Sequence, residues 1–398
     1  MKSSGECFAF YSNALNELKN NSSFRQIRDI KQDGKYIILN ETQNNSFQTP
    51  KKLLNFSSND YLGISSDTVL RNSFLKEYLS SGAKISNPSA RLLCGTNSVY
   101  KELEEFLSKV FNKERALIFN SGYHGNVGVY SSLLNSDDVV FVDKLNHASI
   151  IDGIRLSKAQ IIPYKHLDYE DLRAKLAKYR GKYKKAIISS ESLFSMDGDI
   201  ADINKLADLK EEFDTLLIID EAHSFGVYGD GVGICKEQNA LSRVDLILAT
   251  FGKAIGSYGA FVVGSGILID YLINFARSFI FSTTLPEISV AFSYFALREC
   301  ILKNNALQKK LFLLNDTLRT LLKEREILGE SYIAPVVLRE NEKAVMASKR
   351  LIENGFYILP VRYPTVAKNT ARLRISLNSG MDVEDIKRLA DFLNGMKF

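Results

Sequence analysis

The chain has 398 residues, 45% hydrophobic and 24% charged, which is ordinary for a globular protein and longer than one core usually serves, so two domains are expected. Its net charge of +5 comes from 51 basic against 46 acidic residues with no dense Lys/Arg block, which argues against nucleic acid and suits a small anionic substrate. Four cysteines without C-x-x-C spacing, no signal-peptide pattern, and an uncharged run of 16 residues (Ala254 to Ile269) that contains four glycines and falls short of a bilayer argue against a disulfide framework, a metal site and a membrane span, and lead us to expect a reducing cytoplasm.

Residues 1–51 are polar and rich in Asn and Ser, with one helical candidate from Phe8 to Leu18, and read as an arm. From 52 to 287, short β-branched runs alternate with amphipathic segments, the pattern of a mostly parallel sheet covered by helices. Seven strands are predicted: Ala116 to Phe119, Val139 to Val142, Gln160 to Pro163, Ala186 to Ser189, Leu216 to Ile219, Leu246 to Ala249 and Gly259 to Gly264. Between them Leu103, Phe106, Leu107, Val110 and Phe111 recur at helical spacing, as do Ile203, Leu206, Leu209 and Phe213. Residues 288–398 read as a smaller α+β domain. It begins with a long helical region from Ile288 to about Arg325 and ends with a helix opened by Asp382, with Val383, Ile386, Leu389 and Leu393 inward.

The chemistry is concentrated at two strand ends. Lys253 follows the predicted strand Leu246 to Ala249 and is itself followed by Gly256 and Gly259, a placement suited to holding an aldehyde cofactor as a Schiff base. Upstream, Leu216-Leu217-Ile218-Ile219 runs into Asp220-Glu221-Ala222-His223. An acid at a strand end, a histidine three residues on and a lysine some thirty residues later together suggest pyridoxal phosphate. Taken singly, each has a plainer reading: Lys253 as a solvated charge, Asp220 as a turn former, a histidine as a structural one.

In order along the chain, Ser58-Asn59-Asp60-Tyr61-Leu62-Gly63, Asn120-Ser121-Gly122-Tyr123, Asn146-His147-Ala148-Ser149, the run Glu191 to Asp199, Asp220-Glu221-Ala222-His223 and Thr250-Phe251-Gly252-Lys253 resemble the α-oxoamine synthase family of pyridoxal-phosphate enzymes. The resemblance implies a type I fold: a large α/β domain on a mostly parallel seven-stranded sheet, a smaller C-terminal α+β domain, and a homodimer. It also implies roles. Asp220 would hold the pyridine nitrogen protonated, making the ring an electron sink, and His223 would bond the phenolic oxygen with Ser195 nearby. His147 would stack on the ring. His124 and His166 match no family position and are expected to be structural.

A phosphate needs backbone N–H groups and hydroxyls, which Ser121, Gly122, Tyr123 and Thr250 can supply. The segment with Ser282, Thr283 and Thr284 resembles one whose hydroxyls reach the phosphate of the neighbouring subunit; a Ser/Thr-rich turn before a helix reads equally well. An amino-acid carboxylate calls for a bidentate cation, and Arg374 matches the family arginine, with Arg372 on the same face by alternation and Asn59 helping to hold the same group. Arg25 and Thr365 correspond to acyl-substrate contacts.

Two stretches depart from the family pattern. The glycine-rich acyl entrance is replaced by Ser86-Asn87-Pro88-Ser89-Ala90-Arg91, and Ala367 and Asn369 stand where the family has proline and glycine. Neither touches the residues implied for the cofactor. Phe275-Ala276-Arg277 and Arg362-Tyr363-Pro364-Thr365-Val366 are similar to the branch that joins L-alanine to a pimeloyl thioester carried by CoA or an acyl-carrier protein. There Lys253 would remove the alanine Cα proton. Branches using glycine with acetyl-CoA, or making 5-aminolevulinate, are the alternatives within the family, and a catalytically silent partner subunit is the alternative outside enzymes.

Overall fold

The computed structural model describes residues 4–21, 23–40, 42–43, 46–47 and 50–396. Seven runs of aliphatic and β-branched residues form one sheet: β1 (Arg115–Phe119), β2 (Val139–Asp143), β3 (Gln160–Tyr164), β4 (Ala186–Glu191), β5 (Leu216–Asp220), β6 (Leu246–Thr250) and β7 (Ala260–Gly264). Their order across the sheet is β1-β7-β6-β5-β4-β2-β3. Only β7 runs against its neighbours; β2 to β6 are mutually parallel and β1 shares their direction. The strands β2, β4, β6 and β7 are buried along their whole length, which is why they appear in the sequence as unbroken apolar runs rather than alternating ones.

The helices Gly122–Leu133, Ala148–Ser157 and Gly266–Phe275 cover one face. Val129, Tyr130, Ile150, Ile154, Ile269 and Leu272 pack there with Val140, Val142, Ile187, Ile218, Leu248 and Val262. Each such fully buried side chain contributes about 1.5–3 kcal/mol. The predicted stripes hold: Leu103 and Leu107 of the helix Ser98–Val110, and Ile203, Leu206 and Leu209 of the helix Ile203–Phe213, are buried. With this topology Phe119, Asp143, Glu191, Asp220 and Thr250 all close their strands at the same edge of the sheet, where open α/β sheets bind ligands.

By contact density the chain divides into two units, Asn59–Ser195 with Asp199–Leu311, and Met1–Ser58 with Met196–Gly198 and Phe312–Phe398. The first carries the seven-stranded sheet. In the second, Asp29–Asp33, Tyr36–Asn40, Lys51–Asn55 and Phe356–Tyr357 form a four-stranded sheet, and Ile333–Arg339, Ala371–Ser376 and Pro360–Val361 an antiparallel three-stranded one. The stretch expected to be an arm therefore contains paired strands. Tyr36–Asn40 alternates half-buried and buried positions, with Ile37 and Leu39 inward, a short period-2 signal masked by polar surroundings.

The boundary expected at 287/288 falls instead at Leu311/Phe312, because the helix Glu287–Ala296 packs on the helices Thr68–Ser80 and Ser98–Val110 of the first unit. The long helical region is interrupted. A π turn at Leu297–Ile301 ends it, and Asn304 Oδ1 accepts the Ala306 N–H at 3.1 Å to start the helix Ala306–Leu321. The last helix, Val383–Gly395, begins with a capping box between Asp382 and Asp385; Ile386, Leu389 and Leu393 point inward as expected, but Val383 at its first position is exposed. Cys94, Cys235 and Cys300 are free thiols, and the Cys7 side chain lies outside the described residues. No helix of the described residues is long and apolar enough to cross a membrane.

Candidate active site

At the carboxyl end of β5, Asp220 is 6% exposed and both of its oxygens are engaged. Oδ1 accepts the Ala222 N–H at 2.8 Å, and Oδ2 accepts from Asn126 Nδ2 at 2.8 Å, an amide that also donates to Ser149 Oγ at 3.0 Å. These bonds hold the carboxylate in one orientation. Asn126 reaches it because two helices cross closely at Gly153, where a Cβ would stand 2.8 Å from the Asn126 carbonyl oxygen and 3.1 Å from Val127 Cα.

Glu191 closes β4 in register with Asp220 and is 3% exposed. Burial, reinforced by the neighbouring Asp220 charge, pushes its carboxyl well above the ordinary range, against the opposing pull of Lys253. His147 caps the helix Ala148–Ser157, with Nδ1 2.7 Å from Ser149 Oγ and 3.3 Å from the Ser149 N–H that it accepts. Burial draws its pKa below the ordinary value; Asp220 opposes that shift and Lys253 adds to it, so the ring is held neutral.

Thr250 ends β6, its Oγ1 donating to the Gly259 carbonyl at 2.8 Å and accepting the Gly252 N–H at 3.1 Å. Lys253 follows, half-buried, in a turn closed by the Gly256 N–H on its carbonyl at 2.9 Å. Gly256 has φ 65° and a Cβ there would lie 2.6 Å from Ser65 N, so only glycine lets the turn sit against the segment that carries Tyr61. His223, 5% exposed, has Nδ1 2.6 Å from the Tyr61 hydroxyl, which also donates to Asn59 Oδ1 at 3.1 Å. Ser121 caps the helix Gly122–Leu133, accepting the His124 N–H and contacting His124 Nδ1 at 2.8 Å, and the Tyr123 hydroxyl donates to Asp152 at 2.8 Å.

Around these groups lies a cavity of about 170 Å³ whose wall includes Gly122, Tyr123, His147, Asp220, His223, Thr250 and Lys253, seven residues singled out in the sequence. Asn126, Ser149, Glu191 and Ala222 line it too and were not singled out. Ser149 and Glu191 belong to runs that carry the family resemblance, whereas Asn126 could have been found only as a polar residue at a buried position of an apolar helix. The wall combines an amine, a carboxylate fixed by two donors, and a helix start whose Gly122 stands near Thr250, a Cβ there being 3.9 Å from Thr250 Cβ. Such a set fits pyridoxal phosphate: phosphate at the helix start, pyridine nitrogen at the carboxylate, aldehyde at the amine.

Other expected residues are placed elsewhere. Ser195 is half-buried and not on the cavity wall. Thr283 pairs with Ala90 in a β-bridge, and Thr284 binds Ser89 O through its N–H and Asn87 O through Oγ1, both at 2.9 Å. In the same segment Arg91 forms a bidentate pair with Glu104 at 2.9 and 3.0 Å and lies over the Tyr100 ring, so the altered Ser86 to Arg91 run is tied to the helix Ser98–Val110. In the second unit Arg25 Nη2 donates to Thr365 Oγ1 at 3.2 Å. Arg374 donates to Ser376 Oγ at 2.6 Å, while Arg372, 4% exposed, pairs with Asp197 at 2.7 Å. His166 bridges Asp143 and Asp199 at 2.9 and 3.0 Å.

Residues 51–393 match the model of the family described as aminotransferase class I and II. A Haemophilus influenzae protein named "Putative 8-amino-7-oxononanoate synthase" is 42% identical over 380 residues, covering 94% of this chain and 97% of that protein. A Neisseria meningitidis protein of the same name is 41% identical over 380 residues, with the same coverage. Among solved structures, 8-amino-7-oxononanoate synthase from Francisella tularensis superposes with a TM-score of 0.72 at 30% identity over 86% of this chain and 98% of that one. Serine palmitoyltransferase from S. paucimobilis has a TM-score of 0.86 at 23% identity over 98% and 97% of the two chains, a likeness of fold.

Proposed function

We propose, from the premise that this chain belongs to the class I and II aminotransferase family and within it to the α-oxoamine synthases, that it acts as an 8-amino-7-oxononanoate synthase. The reaction joins L-alanine to a pimeloyl thioester, on CoA or an acyl-carrier protein, with loss of carbon dioxide, and serves biotin biosynthesis in the cytoplasm. The observation that carries the reading is the single cavity on which Lys253, Asp220, His223 and His147 meet, in a chain 42% identical to a relative bearing that name.

Pyridoxal phosphate, when bound, supplies an aldehyde that captures the alanine amino group and a ring that takes up the electron pair left at Cα. Lys253 Nζ would hold the aldehyde, and as a free amine it would take the Cα proton and later return one. Asp220 keeps a proton at the pyridine nitrogen, and the Asn126 and Ala222 donors keep that carboxylate aimed. His147, its pKa drawn down by burial, would stack on the ring without drawing the developing charge to itself. The Gly122 and Tyr123 N–H groups and Thr250 hold the phosphate, with Thr283 and Thr284 contributed by the second chain of a homodimer. Asn59 would serve the alanine carboxylate; in the second unit, Arg374 is the candidate for a carboxylate and Arg25 with Thr365 for the acid end of an acyl chain.

The test is a product assay pairing alanine or glycine with pimeloyl or acetyl thioesters. Alanine is expected to exceed glycine about 10- to 200-fold through a methyl-sized pocket, and pimeloyl to exceed acetyl. Preferred turnover of glycine with acetyl-CoA overturns the specific assignment and leaves the family standing.

A further inference from the structure

A cavity of about 840 Å³ lies wholly within the second unit, walled by the segment from Phe24 to Arg28, by Lys51, by the helix Asn341–Glu353 and by the stretch Leu359 to Arg362. Five basic residues line it, Arg25, Arg28, Lys51, Lys349 and Arg362, against one acid on the described wall, Glu353. Lys52, the next residue of the strand that Lys51 opens, pairs with Asp33 at 2.7 Å. Arg28, Lys51 and Lys349 form no ion pair among the described residues, although Glu353 follows Lys349 by one turn of its own helix. Arg25 donates to the neutral Thr365, and the Arg28 guanidinium lies over the Tyr357 ring at 5.8 Å. Burial, and after it the Arg25 charge, draws the Arg362 pKa below its ordinary value. Like charges gathered on a concave wall repel one another and focus a positive field into it, and an anion that enters relieves the repulsion.

The rest of the wall narrows the kind of anion. Phe24, Val345, Ile352, Leu359 and Pro360 are apolar, and Ile352 and Leu359 continue the buried cluster of Ile37, Leu39 and Leu53. Inorganic phosphate would leave that surface wet, whereas a cavity within the ~300–1,000 Å³ of ordinary small-molecule sites takes an organic ligand with an apolar part. A single carboxylate answers one of the five cations; each phosphate group brings more charge, and lysine ammoniums bind phosphate as point charges. We propose that this cavity binds a phosphorylated nucleoside, its phosphates among Arg28, Lys51 and Lys349 and its base against Ile352 and Leu359. Two sources carry that chemistry, the nucleotide end of CoA and a free nucleotide. The inference goes beyond the reaction proposed above and does not rest on it, since binding is read without turnover.

The experiment is isothermal titration of the holoenzyme, its cofactor phosphate already in place, with CoA, ADP, pyrophosphate and pimelate. CoA, ADP or both should bind saturably with Kd below about 1 mM, and pyrophosphate about tenfold more weakly for want of a base. Lys51→Glu and Lys349→Glu should each weaken that binding by about tenfold or more; both residues are exposed, so the fold is kept. Lys52→Glu is the control, an equal change of charge on the side chain that alternates to the other face of the strand, and should leave binding within about twofold. CoA bound more tightly than ADP, with the loss in both variants, assigns the site to the thioester carrier; ADP bound as tightly or more tightly assigns it to a free nucleotide. Binding of neither, binding that Lys51→Glu and Lys349→Glu leave unchanged, or an equal loss in Lys52→Glu overturns the proposal. So does pimelate bound more tightly than ADP, or pyrophosphate bound as tightly, since the first points to a carboxylate site and the second shows that the apolar wall takes no part.

Discussion

Replacing Lys253 by alanine removes the one amine on the described cavity wall while leaving the glycine-lined turn around it unchanged. The variant should fold and bind pyridoxal phosphate without a covalent bond, and turnover should be lost; borohydride should label the wild-type chain at Lys253 and this variant nowhere, as read by peptide mass. Asp220→Asn keeps the shape but removes the charge that Asn126 and Ala222 hold in place, so alanine Cα–H exchange should fall by roughly 10²- to 10³-fold, as about 3–4 kcal/mol implies. Glu191 makes the contrast. Its carboxyl is pushed well above the ordinary range beside Asp220, so Glu191→Gln replaces one neutral group by another and should retain exchange within a fewfold. A loss as large as that of Asp220→Asn would show that Glu191 is charged. The difference in legibility between these residues has a physical source. Lys253 and Asp220 stand out because a charged residue directly after an apolar strand is visible in one dimension. Asn126 is not visible in that way, since its partners Ser149 and Asp220 are 23 and 94 residues away and only the helix crossing brings them together.

That crossing sets the element-scale prediction. Gly153→Val adds three carbons where even a Cβ stands 2.8 Å from a backbone oxygen, so the helix Ala148–Ser157 must move off the helix Gly122–Leu133. A stability loss of about 1–3 kcal/mol in denaturant is expected, accompanied by weaker cofactor retention as Asn126 withdraws from Asp220. His166 joins two other elements, the end of β2 through Asp143 and the loop after β4 through Asp199. Burial draws its pKa down, but the two carboxylates prevail and raise it to about 9. A folded pKa above the ordinary 6.5 means that its contribution is fully present below about pH 6.5 and lost as pH rises to about 9, a difference near 3 kcal/mol. Wild-type stability should fall over that window and His166→Gln should show a flatter profile there; parallel profiles would rule the bridge out as the cause. Strands buried on both faces were legible because they need unbroken apolar runs. The break after Ala296 was not, since the following π turn keeps helical composition and only the side chain of Asn304 marks the restart.

At the scale of the whole molecule, the division into 52–287 and 288–398 that composition suggested assumes that each unit is one stretch of chain. Contact instead assembles the second unit from Met1–Ser58, Met196–Gly198 and Phe312–Phe398, and a sequence read locally cannot show that its first and last parts share a core. They do so through Ile37, Leu39, Leu53, Ile352 and Tyr357, which pack as one buried cluster, while Arg372 binds both Asp197 and the Met196 carbonyl oxygen. Arg372→Ala leaves Asp197 half of a broken buried pair and should destabilise this unit by about 3–5 kcal/mol in denaturant, an effect that a smaller loss would contradict. The split core also has a consequence in time. During synthesis Ile37, Leu39 and Leu53 leave the ribosome some 300 residues before Ile352, a wait of roughly 15–60 s at ordinary elongation rates. For that interval the nascent chain displays an apolar sheet face with no lid, so a stalled or prematurely terminated copy carries the very surface that folding chaperones and degradation machinery recognise.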